Sequence, residues 1–129
     1  MSSEDVLANI ETVRDFVNTA FKERRPKEAF EKYTDGRYIQ HDPTVPDGEA
    51  GFLQHAQDTF GSHPNWDFDV KRIIAQDDYV VLHAATTLSG DGPEFAAMDI
   101  WRLEDGKIAE HWGVLQPVPD DPANDNTMF

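Results

Sequence analysis

A chain of 129 residues has room for one domain, since autonomous domains mostly run from about 50 to 250 residues. Eleven Lys and Arg against 25 Asp and Glu give a formal charge of -14, a field that repels a polyphosphate backbone and argues against nucleic-acid binding. Zero Cys excludes disulfides, iron-sulfur ligation, thiolate zinc sites and a cysteine nucleophile, and no run of about 18 to 20 apolar residues offers a membrane-spanning helix.

The opening MSSEDVLANI has neither a basic n-region nor an apolar h-region, so the expected location is the cytoplasm. Val6, Leu7, Ile10, Val13, Phe16, Val17, Ala20 and Phe21 recur at three- and four-residue steps, predicting a first helix with Ser2 or Ser3 as its cap. Pro26 interrupts it, and Lys27 to Tyr33 predicts a short second helix. In YTDGRYIQHDPTVPD, Asp35-Gly36 reads as a turn, and two prolines exclude a long central strand, leaving His41 in irregular or briefly extended chain. A third helix is predicted over Gly48 to Gly61, with Phe52, Leu53, Ala56 and Phe60 on one side and His55 outside that set.

The period then changes. Strands are predicted over Trp66 to Ile74, Tyr79 to Ser89, Phe95 to Leu103 and Lys107 to Gln116. The intervening turns are short, and LEDGKI is a strong hairpin signal, so these strands are largely antiparallel. Three helices followed by such a sheet predict an α+β domain over residues 1–116, with 117–129 as a polar, acidic tail whose terminal Met128-Phe129 is able to dock locally.

Alternation along FAAMDIWRL places Asp99 in a row with Phe95, Ala97, Trp101 and Leu103. A carboxylate there needs a hydrogen-bond donor, or titrates high through desolvation, unless it stands at a solvated bulge or edge. On the next strand His111 and Gly113 share a face, and the Asp105-Gly106 turn brings Asp99 close to His111 within about two residues of register. An Asp beside a His is either an acid-base pair or an ordinary structural bond. His83 is flanked on its face by Val81, Ala85 and Thr87, small enough to leave ligand space; the tryptophans Trp66, Trp101 and Trp112 are candidate cavity walls or core. His55 and His63 read as helix-surface and loop histidines. No HExxH, His-any-His pair, EF-hand loop, phosphate loop or GxSxG elbow is present, so neither a metal site nor a serine nucleophile is predicted.

The segments Tyr38-Ile39-Gln40-His41-Asp42-Pro43, Val81-Leu82-His83 and Asp99 through Trp112 resemble the SnoaL-like polyketide cyclase family of the nuclear transport factor 2-like superfamily. The resemblance implies a cone-shaped, curved, mainly antiparallel sheet wrapped against three helices, with a deep internal pocket. It adds a short pairing segment around Tyr38 to His41, moving His41 toward the cavity mouth, and implies a homodimer formed through the outer sheet faces. It further implies acid-base chemistry of aldol or isomerase type, without metal or organic cofactor, on a small apolar carbonyl or lactone-like compound. In the family pattern Glu-His-Trp-Asp, the final Asp is the principal acid-base carboxylate; this chain has Glu110-His111-Trp112-Gly113. Proton transfer then falls to Asp99, His111, His41 or His83, with Tyr38, Trp66, Trp101 and Gly113 bounding the ligand space. The alternatives are a noncatalytic small-molecule-binding dimer and a hydratase or epoxide-type hydrolase.

Overall fold

Helix α1 spans Ser3–Val17 in the computed structural model, which describes residues 2–129. A reciprocal cap fixes its start: the Ser2 hydroxyl accepts from the Asp5 amide, and the Asp5 carboxylate accepts from the Ser2 amide. Val13, Phe16 and Val17 form its buried stripe, and a π-helical turn over Asn18–Lys22 prolongs it. The chain corners at Arg24, whose φ is 57°, and Pro26 opens α2 (Pro26–Tyr33). Pro26 therefore starts a helix rather than breaking one, because the first helical turn needs no amide donor. The third helix, α3, spans Gly48–Ser62, so Gly61 lies inside it and does not end it.

Strand β1 (Thr34–Gln40) follows α2 directly. Asp35-Gly36 does not reverse the chain: Gly36, at φ 102°, sits where the pairing register slips between Thr34 and Ile39, so the pair acts as a bulge. Strands β2 (Asp67–Gln76), β3 (Tyr79–Thr87), β4 (Phe95–Glu104) and β5 (Lys107–Pro117) form an antiparallel meander. Asp105 and Gly106, at φ 49° and 77°, make the tight turn between β4 and β5, with Glu104 paired to Lys107. β1 adds to β5 in parallel, giving the order β1-β5-β4-β3-β2.

The expected α+β composition of three helices and a sheet is present, but the cone-shaped closed form is not. Closing the sheet would require β1 to pair with β2, whereas β1 pairs with β5 and the two strands stand at opposite edges of an open sheet. Nor do the described residues enclose a deep internal pocket. The helices cover one face through Phe16, Phe30 and Phe52, which pack with Tyr38 of β1 at ring separations of 5.3 to 5.7 Å, and a recess of about 380 Å³ remains between the layers where that packing ends. Beyond Val118, which donates to the Glu94 carbonyl, the described tail has no helix or strand. Its last residue, Phe129, stacks against His83 at 6.1 Å. Among the described residues, no helix is long and apolar enough to cross a membrane.

Candidate active site

The covered face of the sheet carries Leu82, Ala84 and Thr86 from β3, Phe95, Ala97, Asp99 and Trp101 from β4, and His111, Gly113 and Leu115 from β5, all bordering the recess. β4 and β5 pair in a register that sets Asp99 opposite Gly113 and Trp101 opposite His111. Asp99 and His111 are thus diagonal neighbours, and His111 Nε2 lies 2.8 Å from Asp99 Oδ1. The imidazole is buried and its other nitrogen, Nδ1, lies 2.7 Å from Gln40 Oε1 on β1. Parallel pairing of Gln40 with His111 creates that contact, and the His41 amide donates to the His111 carbonyl at the same point.

Tyr38 is buried beneath this pair, its ring 6.4 Å from that of His111. Burial pushes its hydroxyl well above the usual phenol range, so it stays protonated. The Trp101 indole N–H is itself buried without a well-formed hydrogen bond. Trp66 closes the far wall against Phe21, Phe60 and Phe68. On the rim, His55 and His63 from α3 and its end face the recess rather than bulk solvent alone, and desolvation holds His55 below the usual imidazole range. Asp42 also borders the recess, its Oδ1 accepting from the Thr44 amide and hydroxyl.

The profile of the SnoaL-like domain matches residues 13–111, well over half of the chain. The chain belongs to the SnoaL-like domain family. Among solved structures, a candidate polyketide cyclase from Bacillus cereus superposes with a TM-score of 0.75 at 21% identity, covering 89% of this chain and 78% of that one. A candidate SnoaL-like polyketide cyclase from a Jannaschia species gives 0.74 at 19% identity, with coverage of 89% and 90%. A candidate ketosteroid isomerase from Kribbella flavida gives 0.73 at 18%, with 93% and 86%. At these identities the likeness is one of fold. No curated protein sequence matches the chain.

Of the residues singled out from the sequence of this SnoaL-like domain, Asp99, His111, Tyr38, Trp66, Trp101 and Gly113 border the recess, and His41 and His83 do not. His83 pairs across from Met98 on the uncovered face, where Arg72 donates to its Nδ1. His41 leaves the end of β1 on that side too: it stacks on Trp112 at 4.7 Å and donates through Nε2 to Glu110 Oε2 at 2.6 Å. Glu110 also binds Arg102, which holds its carboxyl below the ordinary range. The residues missed are Gln40, Asp42, His55 and His63. Among the described residues, no three His, Cys, Asp or Glu side chains group as metal ligands.

Proposed function

We propose that this SnoaL-like domain is an enzyme performing acid-base chemistry on a small, largely apolar carbonyl or lactone-like compound. The Asp99–His111 hydrogen bond, placed on a wall otherwise made of aromatic and aliphatic side chains, carries the reading. Asp99 accepts the proton next to the carbonyl and later returns it, while His111 orients the carboxyl and shares its charge. The Tyr38 hydroxyl, kept protonated by burial, supplies a donor for negative charge gathering on the substrate oxygen. Tyr38, Trp66 and Trp101 give apolar walls, and Gly113 leaves room for the substrate beside the carboxylate.

The test is proton exchange into deuterated water and turnover over a panel of small cyclic and acyclic carbonyl compounds. Asp99→Asn is expected to lower both by about 10² to 10⁴-fold. Unchanged rates would remove Asp99 from the mechanism, and a compound that binds tightly yet exchanges no proton would make the domain a noncatalytic binder. Asp42 favours a second reading, since a second carboxylate on the recess suits water activation for hydratase or epoxide-type hydrolysis. In that case Asp42→Asn abolishes product formation from an epoxide while carbonyl exchange is absent.

The active form is a homodimer. Ile74, Tyr79, Met98, Ile100 and Val114 lie exposed together on the uncovered sheet face, an apolar surface that a second copy would bury.

A further inference from the structure

We infer that Gln40 is a positioning residue that locks His111 with a proton on Nδ1, leaving Nε2 as the nitrogen that exchanges a proton with Asp99. Hydrogen-bond accounting carries the argument. Gln40 Oε1 lies 3.0 Å from the Asp42 amide nitrogen, which can only donate. That contact identifies the atom as the amide oxygen, because the NH2 group would set donor against donor. The same oxygen is 2.7 Å from His111 Nδ1, so Nδ1 has to carry a hydrogen. Nε2, 2.8 Å from Asp99 Oδ1, then either donates to a carboxylate or accepts from a carboxylic acid. The two states differ by one proton moved along that single contact.

The lock is built from the backbone. The Gln40 amide donates to Asp47 Oδ1 at 2.8 Å, at the entrance to α3, and parallel pairing fixes Gln40 beside His111. Gln40 therefore has one orientation that satisfies its neighbours, and a residue that accepts at the same place would replace it. Its catalytic consequence rests on the acid-base reading of Asp99 and His111; the tautomer does not.

Nitrogen-15 NMR of the His111 ring in the intact protein tests the lock without any substrate. Wild type is expected to show a protonated Nδ1 around neutral pH. Gln40→Glu, which keeps an acceptor, retains that signature, and Gln40→Leu loses it as the proton redistributes to Nε2. Wild type with a bare Nδ1, or Gln40→Leu as fully protonated there as wild type, would overturn the proposal; the wild-type spectrum decides even if the leucine variant does not fold. Turnover in Gln40→Leu is expected to fall by about 10²-fold or more, since a wrong tautomer costs about 10⁴ where a triad depends on it. A lost Nδ1 signature with undiminished turnover upholds the lock and removes His111 from the reaction instead.

Discussion

At the scale of single residues, Gly113 and Asp99 form a complementary pair. A Cβ at Gly113 would stand 2.7 Å from Asp99 Oδ1, closer than Cβ atoms approach other heavy atoms, and 3.0 Å from His111 Cε1, tighter than most such contacts. The Asp99 carboxylate of β4 occupies the space beside the β5 backbone at Gly113, the position where the resemblance implies an acid. Adding Asp at 113 alone therefore restores nothing. It overpacks the site and sets two carboxylates against each other, so Gly113→Asp is expected to lower stability by about 1 to 3 kcal/mol and reduce turnover. Because the two positions face each other across the β4–β5 pair, the double variant Asp99→Ala, Gly113→Asp moves the acid to the other strand and removes the collision. Thermal melts and turnover of the two singles and the double should show strong non-additivity, with the double better than Gly113→Asp in both. Additive effects would mean the two side chains do not share that space.

Among elements, β1 and the start of its following loop join both faces of the sheet. Gln40 enters the recess, and one residue later His41 crosses to the uncovered face and meets Glu110, which also accepts from Arg102 at 2.7 Å. The Glu110 carboxyl is held below its ordinary 4.5, chiefly by Arg102 and then by His41. A carboxyl depressed by folding adds stability above its unfolded value, and that stability disappears as pH falls through the folded one. Melting temperatures of wild type and Glu110→Gln should differ near neutrality by the equivalent of about 1 kcal/mol, and converge only as pH falls below the ordinary carboxyl range and through the lowered value. A constant gap down to strong acid would assign the stabilisation to packing.

The same segment shows what the sequence disclosed. Helical spacing located α1 and α3, and Asp105-Gly106 predicted the hairpin that brings Asp99 to His111. Alternation also separated His83 from Leu82 correctly, but period two divides a strand without saying which side the helices cover. The buried row of Val80, Leu82 and Ala84 decided that question against His83. Gln40 was illegible because its role comes from a parallel pairing with a strand 71 residues away. His55 did leave a signal: it stands three residues after Phe52 and four before Thr59, and all three border the recess on one side of α3.

For the whole molecule, the open sheet leaves one face without helices. Met98, Ile100, Val114 and Ile74 on that face are 42%, 36%, 68% and 62% exposed, across three different strands. Scattered apolar side chains are ordinary on a surface, but adjacent ones on paired strands form a patch whose burial drives association. A twofold dimer uses the same patch on both copies, so one charge introduced at its centre appears twice and faces its own image. Ile100 occupies that centre, paired to Val81 and Trp112 on either side. Ile100→Glu should therefore halve the mass measured by light scattering while leaving the circular dichroism of the fold unchanged. Leu7, 61% exposed on α1, lies on the opposite layer, and Leu7→Glu should leave the mass untouched. A monomeric wild type, or a dimer broken by Leu7→Glu and not by Ile100→Glu, would place any interface elsewhere and return the sheet face to solvent.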